Sequence, residues 1–399
     1  MRGNWQLLRN GGSNAMTDTQ GGMAAVFGRE LTKASSAPEA FDVIVIGAGQ
    51  SGLAMGHRLA QSGVRFVILE ALSAVGDVWR RRYDGLTLFT PRTMSALPGL
   101  TLDGECDGYA TRDEFGSYLE SYARRFNLPV YLDHRVVALE QDGESTFFVR
   151  CGNGRTFNAL SVIVATGPFQ VPKIPAMAAD APNIEHYVAE TFRSAAIRDR
   201  SRVLVVGDRA SGRGIAGGLS RDHETFLATG KPRKMLPERV FGRSVWHWLR
   251  VFGLLSATRK SLIGRFMARA DPFPHRGNAL EDLARMGVRI RPRLTGLEPS
   301  SASFADGSNQ QVDVVIWATG YRDDYSWIRF EMDQGEWIEP VPGLFLIGRT
   351  WQFGRRSSLI AGAEPDSSIV SKAVLARHRH KISGHMGANN KAALNRKVS

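Results

Sequence analysis

Cysteine is nearly absent from this chain. Only Cys106 and Cys151 occur among 399 residues, far apart and without a Cys-x-x-Cys pair. That argues against a dithiol redox centre, a disulfide framework and a metal site of clustered Cys and His. A reducing cytoplasm is the expected compartment. Long apolar runs are also missing. The nearest, VWHWLRVFGLL (245–255), is broken by His247 and Arg250 and cannot span a bilayer, so no stable membrane insertion is expected. Residues 1–40 lack the apolar block of a secretory signal and carry GGSNAM and QGGM. They are expected to form a disordered leader, with Met16 or Met23 as alternative starts. Acid is absent from the tail, residues 377–399, which contributes to the net charge of +12. No aromatic residues are interleaved with the tail's charges, so nucleic acid is not an expected partner, and a solvated basic tail is.

What is present is glycine in pattern. The segment FDVIVIGAGQSGLAMGHRLAQSGVRFVILE (41–70) starts with VIVI, an apolar run suited to a strand buried on both faces of a parallel sheet. Gly47-x-Gly49-x-x-Gly52 follows and opens a helix, which ends at Gly63 before the strand RFVILE. Gly47 makes the tight turn, Gly49 lets the backbone approach a pyrophosphate, and Gly52 lets helix and strand pack closely. The helix amides of Gln50 and Ser51 face the phosphates. Glu70 closes the second strand, placed to bind ribose hydroxyls. Strand, glycine turn, helix and acid in this order predict a dinucleotide site.

The continuation, SAVGDVWRRRYDGLTLFTPRTMSALPG (73–99), resembles the FAD site of single-chain flavin monooxygenases with two dinucleotide-binding domains. The resemblance rests on Gly76 to Trp79, Tyr83 to Leu86, Thr90-Pro91 and Pro98-Gly99. It implies that Trp79 and Arg80 contact FAD and that Thr90, Pro91 and Arg92 lie near the flavin ring. Packing in the core is the other reading for Trp79. VIVATG (162–167) and VIWATG (315–320) resemble the crossover strands of this family. LFLIG (344–348) and SSLIAGAEPDSSIV (357–370) resemble its closing FAD segment, with Asp366 at the position that contacts the ribityl or phosphate end. Ser367 departs from the usual alanine. The resemblance covers about residues 41 to 376, nearest to bacterial flavoproteins and more distantly to plant flavin monooxygenases of auxin synthesis. By contrast, TRDEFGSYLESYARRF (111–126) reads as a packing helix, with a Thr111–Glu114 capping box and Phe115, Leu119, Tyr122 and Phe126 at helical spacing.

A second glycine device, VVGDRASG (205–212), keeps Gly207, Ser211 and Gly212 but has Asp208-Arg209 where the first has Ala48-Gly49. In the resembling family this second site holds NADPH. Arg233 and Lys234 stand where that family binds the 2′-phosphate, which favours NADPH over NADH. Two outcomes are open for Arg209. Its guanidinium can pair with phosphate as a fork, with Arg213 adding attraction. Or its Cβ displaces the backbone and Asp208 adds repulsion. A weakened site is the expectation. Upstream, residues 180–186 keep only His186 of an aromatic-x-Gly-x-x-x-His stretch. That departs from Baeyer–Villiger enzymes and leaves His186 as a gate, a domain link or a structural residue.

The implied fold class is α/β, with two Rossmann-like domains and the NADPH domain inserted into the FAD domain. The expected division is 41–170 and 313–376 for FAD, 171–312 for the insertion and 377–399 for the basic tail. The resemblance implies an FAD-dependent monooxygenase. NADPH reduces FAD, dioxygen adds, and a flavin hydroperoxide passes one oxygen atom to a small organic substrate. No catalytic side chain, metal ion or oligomeric state is singled out. Two alternatives stay open: a flavin-binding regulatory protein with impaired NADPH turnover, and an NADPH oxidase releasing peroxide. Val245, Trp246, Trp248, Leu249 and Phe252 are read as a substrate-channel wall, a membrane-facing lip or core.

Overall fold

A computed structural model describes residues 37–143, 146–232, 235–270, 272–333 and 338–395. Most of the expected leader, and the Arg233 and Lys234 of the expected 2′-phosphate site, lie outside the described residues. Strand β1 (Glu39–Ile46) starts two residues inside the segment assigned to the leader.

The chain builds two larger sheets. In the first, β1 pairs in parallel with β2 (Phe66–Leu69), and β2 with β3 (Val130–Tyr131). On its other side β1 meets the long strand β6 (Thr156–Val164), which is preceded by the antiparallel strands β4 (Val136–Asp142) and β5 (Thr146–Cys151). The C-terminal half of β6 also takes Leu344–Leu346, a parallel partner from almost two hundred residues later. Alternation along β1 sends Val43 and Val45 into one core and Ile44 and Ile46 into another, so both faces are covered. Helix α1 (Gln50–Ala60) covers the first face together with Val370 and Val374 of the last helix, Ala363–Asn395. That helix runs through the segment read as a solvated tail. The helix Arg112–Arg125 has both halves of its capping box and buries Phe115, Leu119 and Tyr122, as its spacing predicts.

Between them, β7 (Val171–Pro172) pairs with Tyr321–Arg322 in a two-stranded antiparallel link. Beyond the link, the second sheet is wholly parallel, in the order Arg289–Arg291, β10 (Glu224–Ala228), β9 (Arg202–Val206), Val314–Trp317, β8 (Glu185–Val188). The strand Val314–Trp317 therefore belongs to the second sheet. On this pairing the division expected at 312/313 falls one strand early, because the chain returns to the first sheet only after Trp317. Each Ala-Thr-Gly turn follows the last strand before a crossing.

Candidate functional site

Both glycine devices form the same local structure. Gly47 has φ +105° and Gly207 φ +110°, values that favour glycine. A Cβ on Gly52 would lie 1.8 Å from the Gly47 carbonyl oxygen, and one on Gly212 equally 1.8 Å from that of Gly207. These glycines are demanded by the protein itself. Gly49 is different: a Cβ there would meet nothing within 4 Å, so no protein contact demands this glycine, and it faces the cavity described below. Glu70 is buried, its Oε2 accepting from Ala48 N–H at 2.7 Å and its Oε1 from Leu72 N–H at 3.0 Å. A carboxylate has lone pairs left over for hydroxyl donors.

At the second device, Arg209 stands at the helix N-cap with φ −80°, ψ −179°. Gly49 stands at its own with φ −73°, ψ −175°. The arginine has not pushed the backbone away. Its neighbours differ in kind from the first loop: Ala48 and Leu53 are replaced by Asp208 and Arg213, a buried pair 3.6 Å apart. Arg213 turns inward, donating to the carbonyls of Asp208 at 2.8 Å and Asn278 at 2.9 Å. It ties the loop down through these partners and also lines the cavity described below.

One cavity of about 1020 Å³ joins the two devices. Gly47, Gly49, Gln50, Ser51 and Glu70 open into it from the first sheet, and Ala210, Ser211, Gly214, Gly217 and Gly218 from the second. Trp79 and Thr90 line it, and so do Gly348 and Ser358 to Ile360 of the closing segment. The Trp79 ring also packs edge-on against Phe115, with centroids 4.9 Å apart, so cavity wall and core packing coexist.

Gly52, Pro91, Gly207, Arg209 and Gly212 are not on this wall, and neither are Arg80, Arg92 and Asp366. Arg80 is engaged by Asp77, Glu120 at 2.8 Å and the Val75 carbonyl. Arg92 donates to Asp103 O and to Glu114, both at 2.6 Å. Asp366 is 1% exposed, with neither carboxylate oxygen hydrogen-bonded and Arg356 Nε 3.7 Å away. Burial pushes its carboxyl up to about 6. Arg80 and Arg92 brace the fold behind the wall, and Asp366 is buried there. His186 is likewise internal to the second sheet. It stacks on Trp317 and accepts from its indole N–H, and burial lowers its basicity. Residues 245–252 do not line the cavity either; Val245, Trp246 and Leu249 are core, and Phe252 is 67% exposed.

The cavity also collects residues that pattern reading passed over. Arg82 lies between the rings of Trp79 and Phe169, 5.1 and 4.6 Å from their centroids. Near it are Glu190, whose carboxyl burial pushes up against the opposing pull of Arg82, and Tyr321, raised chiefly by burial. Tyr83, raised by burial, reaches Ser211 of the second loop. Arg276 donates to the Leu88 carbonyl at 2.6 Å and covers Tyr109, whose hydroxyl burial and Glu238 push up to about 12. Arg82, Tyr83 and Tyr321 adjoin recognisable motifs and carried a local signal. Glu190 and Arg276 carried none, because only the packing of the two sheets brings them here.

Among the described residues, no helix is long and apolar enough to cross a membrane. A family model of pyridine nucleotide-disulphide oxidoreductases matches residues 44–233. An uncharacterized CzcO-like oxidoreductase of Geobacillus kaustophilus is 40% identical, over 84% of this chain and 98% of that one. The indole-3-pyruvate monooxygenase YUCCA4 of Oryza sativa is 25% identical, over 84% of this chain and 87% of its own length. Among solved structures, a flavin-containing monooxygenase from Stenotrophomonas maltophilia superposes with a TM-score of 0.69 at 26% identity, covering 85% of this chain and 99% of that one.

Proposed function

The chain belongs to the flavin monooxygenase family, an FAD- and NADPH-using group, and we propose that it inserts one oxygen atom of dioxygen into a small organic substrate held in the shared cavity. One observation carries this reading: two glycine loops of matching backbone geometry open on a single cavity of about 1020 Å³. A cavity of that kind suits two dinucleotides whose reactive ends must meet. Bound there, FAD supplies the redox chemistry, taking electrons from NADPH and activating dioxygen.

The residues' own tasks follow. The first loop admits a pyrophosphate at Gly49, where the amides at the start of α1 face it. Glu70, fixed by two backbone donors, takes ribose hydroxyls on its remaining lone pairs. Trp79 and Thr90 bound the cavity on the flavin side. Ala210, Ser211 and the glycine-lined edge of their helix receive the second dinucleotide. Arg233 and Lys234 are proposed for its 2′-phosphate. Arg82, stacked between two rings, keeps a fixed positive charge at the wall while water is excluded around it.

Purified protein tests this. It should be yellow with non-covalent FAD, and NADPH should bleach it without oxygen. In air, an accepted substrate should make NADPH consumption exceed peroxide release. A colourless protein that cannot be reconstituted overturns the proposal. Peroxide equal to NADPH with every substrate would make the protein an oxidase.

A further inference from the structure

The surface over one end of the cavity has an unusual make-up. Residues 239–270 contain seven cations, Arg239, Arg243, Arg250, Arg259, Lys260, Arg265 and Arg269, and no acid. All seven are exposed. Arg239 pairs with Asp107 at 3.3 Å; among the described residues the other six have no ion pair. The same stretch holds the most exposed large apolar side chains of the described chain: Phe241 at 89%, Leu262 at 76%, Phe252 at 67% and Phe266 at 65%. Burying such side chains is worth about 2 kcal/mol each, so leaving four in water calls for an explanation.

These residues form two outward features on one base. Phe241 sits at the tip of the hairpin formed by Arg239–Val240 and Arg243–Ser244. It meets Trp248 edge-on at 6.2 Å, and Trp248 stacks on Phe252 at 6.1 Å, giving a continuous aromatic row. The helix Leu262–Ala270 turns Gly264 and Met267 inward. Helical spacing puts Leu262 and Phe266 in one outer row and Arg265 and Arg269 in the next. Beneath both, Trp246, Leu249, Leu255 and Met267 share a core with Phe89 and Leu359, which line the cavity.

We propose that this face docks peripherally on an anionic phospholipid surface. Apolar side chains that protrude among cations suit the headgroup boundary, where the rings enter the acyl edge and the cations meet lipid phosphates. A second copy of the chain is disfavoured, since two faces with this excess of positive charge would repel. Docking here would set the Phe89–Leu359 end of the cavity next to a reservoir of apolar compounds. The inference stands apart from the proposed reaction, because binding is read without turnover.

The test is co-sedimentation of the full-length flavoprotein with vesicles. Binding is expected to mixed phosphatidylglycerol–phosphatidylcholine vesicles at low salt, with release at high salt and little binding to pure phosphatidylcholine. The double variants Phe252→Ser/Phe266→Ser and Arg259→Glu/Lys260→Glu change exposed positions only. Each should lower partitioning by at least about tenfold, while flavin content and thermal midpoint stay unchanged. Three results overturn the proposal. The first is wild type that does not bind anionic vesicles. The second is wild-type binding by both variants, which assigns the attraction to the C-terminal tail. The third is loss of self-association by the apolar variant in sedimentation velocity with vesicle binding intact, which makes the face a dimer interface.

Discussion

At Arg209 a single side chain occupies the place of the glycine that admits pyrophosphate. Its backbone, φ −80° and ψ −179°, is extended and open to any residue, and it matches Gly49 closely. The loop is therefore undistorted, and the cost of the side chain falls on the ligand's approach. Arg209→Gly is expected to tighten NADPH binding by about tenfold, on the order of 1.4 kcal/mol, with FAD content unchanged. Anaerobic flavin reduction against NADPH concentration measures this; weaker binding in the variant would make the guanidinium a phosphate ligand. Asp366 makes a different prediction. Burial raises its carboxyl from 3.8 to about 6. Between those values the folded state binds more protons than the unfolded one, so stability falls as pH rises through the window and stays lower above it. Asp366→Asn should stabilise the apoprotein at neutral pH by on the order of 2 kcal/mol. It should also flatten the pH dependence of the thermal midpoint between about pH 4 and 6. A midpoint unchanged at neutral pH would show that Arg356, 3.7 Å away, already neutralises the buried charge.

At the scale of the strand–turn–helix element, the glycines separate into two kinds. Gly52 is required by the fold, since a Cβ would strike the Gly47 carbonyl at 1.8 Å; Gly49 is not, since nothing lies within 4 Å. Gly52→Ala should lower the thermal midpoint of the apoprotein and strip FAD. Gly49→Ala should leave that midpoint unchanged and weaken FAD alone. If Gly49→Ala unfolds the apoprotein, the space beside it is not a ligand's. This contrast also marks what could be read from sequence. The glycine spacings, Glu70 and the Thr111 capping box are local devices whose partners lie within one element or the next, so pattern was enough. Arg80, Arg92 and Asp366 sit inside the resembling motifs, yet their side chains turn toward Glu120, Glu114 and Arg356. A motif fixes where a backbone passes; the direction of a long side chain is set by charges brought up by distant segments. Glu190 and Arg276 were invisible for the same reason, as was the membership of Val314–Trp317 in the second sheet.

At the scale of the whole molecule, the two sheets must hold their ligands against each other, and a short stretch, residues 82–89, carries much of that docking. Arg193 donates to the Arg82 carbonyl at 2.8 Å, and Ser194 gives Asp84 two hydrogen bonds, at 2.9 and 3.1 Å. Arg276 donates to Leu88 O at 2.6 Å and Trp246 Nε1 to Phe89 O at 2.7 Å. Burial works to raise the Asp84 carboxyl, but the Ser194 bonds and the charges of Arg112 and Arg193 outweigh it and hold the group below its ordinary value. Asp84 is thus ionised throughout the neutral range and lends docking strength that is lost only in acid. It lies outside the cavity wall, so its removal tests geometry and not ligand contact. Asp84→Ala should keep FAD bound and leave NADPH affinity within about twofold, because both loops survive intact on their own sheets. Flavin reduction at saturating NADPH should slow by about ten- to a hundredfold, since transfer between two bound ligands is sensitive to displacements on the order of 1 Å. Asp84→Asn, which keeps an acceptor for the Ser194 N–H, should recover part of that rate. Stopped-flow reduction under anaerobic conditions separates the two quantities. A variant that loses affinity while reducing at the wild-type rate would move the docking function away from this stretch.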